Sequence, residues 1–191
     1  MKELKLSRGR ALVVVAHPDD ETIWMGGTIL GHPAIAWTIF VLCRKNDKER
    51  YPKFLRATKL YNAQGIMSDL KDSGILTLKE SLPETEKRIR RNLKNKKFDY
   101  IFTHGSNGEY GHINHKGVHL VIKKLFQEKK LTGSNLFFFS YFRPRAEFCF
   151  KLSEKEFKMK KDIIKNVYGF SEDSFENKNC KEMETFDKYH L

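Results

Sequence analysis

The fold is decided by residues 11–21, ALVVVAHPDDE, where a continuous apolar run leads into a cluster of ionisable side chains. An unbroken apolar run of this kind, rich in valine, is typical of a strand buried on both faces of a parallel sheet. The ionisable residues that follow it are His17, Asp19, Asp20 and Glu21. Ligand sites of open α/β sheets lie beyond the carboxyl ends of the strands, so this stretch also places a candidate site.

Further along the chain, apolar runs alternate with segments of helical pattern. The expected strands are residues 11–16, 34–43, 74–78, 98–103, 135–142 and 147–152. The expected helices are residues 21–30, 47–64, 84–95, 114–130 and 153–168. The last helix opens with the capping box of Ser153 and Glu156 and ends at Gly169. This alternation predicts an α/β fold with a mainly parallel sheet and helices on both faces.

The length of 191 residues suits a single domain, residues 1–191, with a loose polar tail after about residue 170. The formal net charge of +12 favours acidic partners. The lysines are spread along the chain and are not interleaved with aromatic residues in a nucleic-acid-binding pattern. We therefore interpret them as solvated helix faces and expect no nucleic-acid partner.

The three cysteines, Cys43, Cys149 and Cys180, are widely spaced and form no C-x-x-C pair. An odd number of separated cysteines indicates free thiols in a reducing compartment. The first apolar run is too short for a signal peptide, and no stretch approaches the length of a membrane span. We therefore expect a cytoplasmic protein.

The cluster after the first strand is unfavourable without a cation, because adjacent carboxylates repel and are costly to desolvate. Zinc accepts histidine nitrogen and carboxylate oxygen, and a catalytic zinc site keeps one position for water. His17 and Asp20 are three residues apart and can point at one ion. Asp19 would then point elsewhere, close enough to take a proton from the water. The alternative is that an aspartate only caps the following helix and His17 is a loop residue.

A second cluster lies in residues 103–119, THGSNGEYGHINHKGVH, where a glycine-rich loop enters a helix. His112 and His115 are three residues apart and share a helix face, and His115 and His119 form a second pair four apart. This cluster also follows a strand of the predicted sheet. One histidine from it would therefore complete the usual three protein ligands of catalytic zinc. For His104 and His119 we favour a structural role with hydrogen bonds.

Together, three motifs resemble the PIG-L/LmbE-like zinc-dependent N-deacetylases. They are AHPDDE at residues 16–21, GGT at 26–28 and GEYGHINH at 108–115. Their order and separation also match, and the resemblance covers roughly residues 10–130. It implies a Rossmann-like three-layer fold. It also implies a hydrolase that removes an acetyl group from the nitrogen of an N-acetylglucosamine-type amino sugar.

By position, the resemblance implies that His17, Asp20 and His115 hold Zn²⁺, with Fe²⁺ or Co²⁺ as other suitable metals. Asp19 would be the general base. His112 would stabilise the charged tetrahedral intermediate or protonate the leaving amine. The required chemistry fits these residue types, because a carboxylate base and a separate acid divide the proton transfers of amide hydrolysis.

Three further residues follow from the resemblance. Tyr110 falls where some members place a mobile tyrosine that contacts the oxyanion, and Arg56 falls near an arginine that lines the substrate pocket. Asn114 also belongs to the expected pocket, where Ile113-Asn114 replaces the Pro-Asp of many members. An asparagine can only hydrogen-bond, so we expect His112 to titrate lower than with an aspartate there.

The expected partner is an N-acetylated sugar or glycoconjugate, and the basic charge suggests an anionic one. A homo-oligomer is compatible with the sequence. Two alternatives stay open. One is an amidase that uses a similar site on a thiol or sugar conjugate, and the other is a non-catalytic sugar-binding protein of the same fold.

Overall fold

The computed structural model describes residues 1–72, 77–94, 96–141 and 145–190, and in it the first apolar run forms a central strand of an eight-stranded sheet. The strands are β1 (Lys2–Glu3), β2 (Gly9–Val15), β3 (Ile35–Cys43), β4 (Gln64–Leu70), β5 (Lys97–Thr103), β6 (Thr132–Phe139), β7 (Phe148–Lys151) and β8 (Met183–Lys188). Their spatial order is β1-β7-β8-β6-β5-β2-β3-β4. Only β8 is antiparallel to its neighbours among these strands.

Helices cover both faces of this sheet. They are α1 (Asp20–Gly31), α2 (Arg50–Leu60), α3 (Leu78–Leu93), α4 (Gly108–Gly111), α5 (Ile113–Gln127), α6 (Glu154–Asp162), which continues as a π-helix over Ile163–Tyr168, and α7 (Phe175–Asn179). Val13 and Val15 of β2 belong to the core cluster that includes α1 and α2, while Leu12 and Val14 belong to the cluster with α3 and α5. This burial of both strand faces explains the unbroken apolar run. The predicted Rossmann-like α/β class is confirmed.

Two element predictions differ from the structure in the region of α2. The helix expected over 47–64 is shorter, Arg50–Leu60, and the following strand β4 was not predicted. β4 is an edge strand with the polar sequence QGIMSDL, so it lacks the apolar pattern of a buried strand. Gly65, expected to end the helix, instead lies in β4, where an added Cβ would come within 3.0 Å of Phe54 and Thr58.

The strand expected over 74–78 falls mostly outside the described residues. Within the described part, Thr77 caps α3 through a capping box with Glu80, and Leu78 is already helical. The helix therefore begins six residues before the expected start at residue 84. Among the described residues, no helix combines the length and apolar character that crossing a membrane requires.

The segment after Phe170 is not the loose tail that its polar composition suggested. It forms α7 and then β8, which lies between β6 and β7. Phe186 and Glu184 of β8 are both fully buried. The buried carboxylate is compensated by the Lys160 ammonium at 2.7 Å, which is why a polar sequence can occupy the middle of a sheet.

Candidate metal-binding active site

The carboxyl ends of two neighbouring strands bring the two clusters together. β2 and β5 are paired in parallel, with Val14 opposite Thr103. The loop after β2 therefore carries His17 to the same edge of the sheet as the loop after β5. α5 starts from that second loop and buries His115 completely, with its Nε2 atom 3.3 Å from Nδ1 of His17. Residues 98 positions apart thus meet at one point.

Three donor atoms form a nearly equilateral triangle. Asp20 Oδ2 lies 3.4 Å from Nδ1 of His17 and 3.3 Å from Nε2 of His115, and the two nitrogens are 3.3 Å apart. Tetrahedral zinc with bonds of about 2.0–2.1 Å separates its ligand atoms by roughly 3.4 Å. These three donors therefore fit one divalent ion. His112 and His104 each have a nitrogen within 4.8 Å of two members of the triangle.

Glu109, which the sequence analysis missed, fixes the orientation of His115. Its Oε2 atom lies 2.5 Å from Nδ1 of His115 and 2.7 Å from Nδ1 of His104. The backbone N–H of Ala16 donates to Nε2 of His104, so the His104 proton is on Nδ1 and is donated to Glu109. Burial would raise the pKa of Glu109, but His104 and His115 lower it to about 2. An ionised Glu109 accepts the proton on Nδ1 of His115, so Nε2 is the nitrogen that can bind a metal.

A second carboxylate, Asp72, forms an ion pair with the outer nitrogen of His17. Asp72 Oδ1 lies 3.2 Å from Nε2 of His17 and accepts a hydrogen bond from the Asn114 amide at 2.7 Å. Arg44 donates to the other oxygen at 2.9 Å. Burial would raise the pKa of Asp72, but His17 and Arg44 lower it to about 2. Asn114, expected to contact substrate, is instead bound to Asp72 and supports His17.

Asp19 stands beside the donor triangle without joining it. Arg50 donates to its carboxylate at 3.1 Å, and its backbone N–H donates to Glu21 at 3.1 Å. Glu21 in turn accepts a hydrogen bond of 2.6 Å from the Tyr168 hydroxyl. Burial and the charges of Asp20 and Glu21 raise the pKa of Asp19. The result is a carboxylate of increased basicity that is held in one place.

Backbone strain is concentrated around these groups. Positive φ angles occur at Asp19 (121°), Arg44 (69°) and Glu109 (53°), three of the five non-glycine residues with positive φ in the described chain. Residues other than glycine rarely adopt positive φ angles. Such backbone strain persists where surrounding contacts enforce it. The sequence carries no signal for these conformations, because tertiary contacts impose them.

A cavity of about 180 Å³ opens onto the triangle. His17, Asp20, Asp19, His112 and Tyr110 line it, whereas His115 lies buried below. The other sequence-predicted residues, Arg56 and Asn114, are not part of its lining.

Arg50, and not Arg56, lines this cavity. Arg56 is exposed on α2, and Arg50, six residues earlier on the same helix, lines the cavity. Six residues correspond to about 600° of helical rotation, so the two side chains lie on different faces. The available signal for Arg50 was Asp47, which accepts hydrogen bonds from the N–H groups of Glu49 and Arg50 and so starts α2 beside the site.

His112 and Tyr110 offer hydrogen-bond donors to the cavity. The backbone N–H of Asn114 donates to Nδ1 of His112, so the neutral ring carries its proton on Nε2. Burial and the charges of His115 and His17 lower the pKa of His112 to about 4. Asn114 acts on His112 through its backbone, because its side chain binds Asp72. Burial and nearby carboxylates raise the pKa of Tyr110, so its hydroxyl stays protonated.

The family model of PIG-L, described as GlcNAc-PI de-N-acetylase, matches residues 12–126. The conserved protein TT1542 from Thermus thermophilus superposes with a TM-score of 0.76 at 16% identity, covering 93% of each chain. N,N'-diacetylchitobiose deacetylase from Pyrococcus horikoshii superposes with a TM-score of 0.70 at 15% identity, covering 94% of this chain and 83% of the other.

A sequence relative is the uncharacterized protein L374 of Acanthamoeba polyphaga mimivirus, 25% identical over 181 residues. The match covers 84% of this chain and 76% of the viral protein. The matched region of the family model, residues 12–126, extends from β2 through most of α5 and contains both clusters of the site. The chain therefore belongs to the PIG-L family of de-N-acetylases.

Proposed function

We propose that this protein is a zinc-dependent hydrolase that removes the acetyl group from the nitrogen of an N-acetylglucosamine-type amino sugar. The observation that carries the proposal is the donor triangle of His17, Asp20 and His115 with the Asp19 carboxylate beside it. Three protein ligands and an adjacent carboxylate are the arrangement that metal-dependent amide hydrolysis requires.

The chemistry of the donors suits zinc, with Fe²⁺ or Co²⁺ as alternatives, because two imidazoles and one carboxylate match the ligands that these ions accept. When bound there, zinc would supply Lewis acidity toward the acetamide carbonyl and lower the pKa of water at the site. His17, Asp20 and His115 would hold it. Glu109 and Asp72 would keep both imidazoles oriented.

The remaining steps belong to the protein's own side chains. Asp19 would take a proton from the attacking water, with burial raising its basicity and Arg50 favouring its ionised form. The neutral His112 ring would donate a hydrogen bond from Nε2 to the developing oxyanion, and only its protonated form would transfer a proton to the leaving amine. The Tyr110 hydroxyl, at the cavity mouth, would donate to the same oxygen. Separate base and acid groups allow both proton transfers without rearranging the site.

The substrate we propose is a small N-acetylated sugar or glycoconjugate. The net charge of +12 favours an anionic substrate. Arg44 and Arg50 in the cavity lining are paired with Asp72 and Asp19, so this preference rests on the charge of the whole chain. A screen of neutral and anionic N-acetylglucosamine derivatives, with acetate and free amine as readouts, tests this class directly. Release of a thiol or an amine from a conjugate without acetate would instead indicate an amidase.

Replacing Asp19 with asparagine separates metal binding from turnover. We expect Asp19→Asn to retain one zinc per chain and to lose about 10²- to 10⁴-fold in kcat, the usual contribution of a positioned base. Zinc content is measured by elemental analysis on the same sample as acetate release. The control is Asp173→Asn, because the Asp173 side chain is 97% exposed and lies outside the cavity lining. Full activity of Asp19→Asn would contradict the assigned role.

A further inference from the structure

Two large aromatic side chains, which we call the aromatic wall, stand at the mouth of the cavity. Tyr110 and Phe175 are 48% and 43% exposed, and their ring centroids lie 4.7 Å apart in an edge-to-face arrangement. Other exposed large apolar residues of the described chain, such as Leu55 and Leu120, do not line this cavity. Adjoining exposed aromatic rings at a polar cavity are typical of a ligand-binding surface.

The scaffold holds Phe175 of the wall in place. Phe175 opens α7, where Ser174 caps the helix by accepting a hydrogen bond of 3.1 Å from the Asn177 backbone. Asn177 is buried, and its carbonyl oxygen accepts a hydrogen bond of 2.8 Å from the Lys161 ammonium. Phe175 is therefore exposed because a fixed helix presents it. A preorganised surface loses little entropy when a ligand binds.

A carboxylate accompanies the rings. Glu176 follows Phe175 on α7 and lines the same cavity. Within the described part of the chain, its side chain makes no hydrogen bond or ion pair, unlike the carboxylates deeper in the site. A sugar ring has an apolar face of C–H groups and an edge of hydroxyl donors. An aromatic surface beside an available carboxylate matches both features.

We infer that α7 forms a subsite for a second sugar ring, linked to the ring whose acetamido group reaches the donor triangle. This inference rests on the proposed function. The cavity of about 180 Å³ is smaller than the roughly 300 Å³ at which pockets for drug-sized ligands begin, so a longer substrate extends past the wall. The rest of the lining is mainly ionisable, which does not suit a long acyl chain.

The test compares N-acetylglucosamine with its β-1,4-linked disaccharide in the zinc-loaded enzyme. We expect Phe175→Ala to lower kcat/KM for the disaccharide about five- to tenfold more than for the monosaccharide, because an aromatic contact is lost. Glu176→Gln should lower the same ratio less, because its amide keeps an acceptor oxygen. Leu120→Ala is the control, since Leu120 is also 43% exposed but lies on α5 outside the cavity lining.

Calorimetry in an Asp19→Asn background gives a readout independent of turnover, with the two sugars as ligands. The dissociation constant of the disaccharide should rise in Phe175→Ala by the same factor. Equal losses for both sugars would overturn the inference. So would a larger loss with N-octanoylglucosamine, which would assign the wall to the acyl group. If wild type releases acetate from neither these sugars nor the anionic derivatives of the screen, the proposed function fails, whereas the disaccharide binding comparison still decides the subsite.

Discussion

Glu109 is a single buried carboxylate on which two histidines depend. We expect Glu109→Gln to weaken zinc binding by about 10- to 100-fold, the usual effect of removing a group that orients a metal ligand. A glutamine amide carries no charge, and when its oxygen accepts from both imidazoles its NH₂ group faces the backbone N–H of Gly105, which now donates to Oε1 of Glu109 at 2.8 Å. Competition with a chelator measures the affinity. Glu128→Gln, at an exposed carboxylate on the far end of α5, should leave it unchanged.

If His17 and His115 hold the metal as proposed, metal binding should release protons from them. Burial would lower the pKa of His17, but Asp20 and Asp72 raise it to about 10 in the protein alone. Burial would also lower the pKa of His115, but Asp20 and Glu109 raise it to about 9. Both rings are therefore protonated at pH 7, and a metal must displace about two protons.

The direction in which folding stability and zinc affinity change with pH is testable. The favourable contribution of the two protonated rings to folding is fully present below pH 6.5 and is lost as the pH rises through 9 and 10. Zinc affinity should rise with pH over the range from 6.5 to 9. Calorimetry in buffers of different ionisation enthalpy counts the protons. His112→Ala should release the same number, because His112 is already neutral; a buffer-independent enthalpy would contradict the prediction.

At the scale of single residues, the sequence could predict the ionisable side chains that follow a buried strand, because such a cluster is costly without a metal ion. His17, Asp20 and His115 do meet, as the two strand ends indicated. Glu109 and Asp72 could not be predicted, because their roles arise from contacts between distant loops. The position of Arg50 rather than Arg56 depended on where α2 begins, and element boundaries are poorly fixed by sequence patterns.

At the scale of elements, α1 is interrupted directly after the residues that serve the site. Met25 has non-helical angles of −152° and 17°, and the backbone N–H groups of Gly27 and Thr28 donate to the Glu184 carboxylate. Lys160 neutralises that carboxylate from α6. The second half of α1 is therefore stabilised by a charge from β8, consistent with the favourable position of anions at helix N-termini.

Removing this charge should destabilise the protein. We expect Glu184→Gln to cost about 3–5 kcal/mol of unfolding free energy, because Lys160 is left as a buried charge without a partner. Chemical denaturation measures the loss. The double variant Lys160→Met with Glu184→Gln should recover part of it, since no unpaired ammonium remains. If Glu184→Gln were as stable as wild type, the ion pair of Lys160 and Glu184 would not stabilise the fold.

Elements also differ in how clearly the sequence reveals them. β2 is buried on both faces, and its apolar run predicts it without ambiguity. β4 at the sheet edge is half polar, and its residues follow a helical segment without a strong break. β8 escaped prediction for another reason, because its inward-facing Glu184 breaks the expected apolar alternation. Compensation by Lys160 is a tertiary effect that local patterns do not contain.

At the scale of the whole molecule, the sheet is not complete without its last strand. Removing residues 171–191 would delete β8 and separate β7 and β1 from β6. We expect this truncation to remove most of the roughly 5–15 kcal/mol that stabilises a domain, and to abolish cooperative unfolding. Thermal unfolding followed by circular dichroism measures this. Removing only residues 190 and 191 is the control, and a stable truncated protein would contradict the prediction.

The place of β8 also bears on how the protein is made. Translation proceeds from the amino terminus, so the donor triangle is synthesised long before the strand that fastens α1 and the helix that carries Phe175. Until β8 emerges from the ribosome, β6 presents an open edge of the kind that promotes association between nascent chains. Insertion of a late strand between two earlier ones requires long-range pairing, which slows folding. The surroundings of the donor triangle are therefore complete only after β8 has been synthesised and paired.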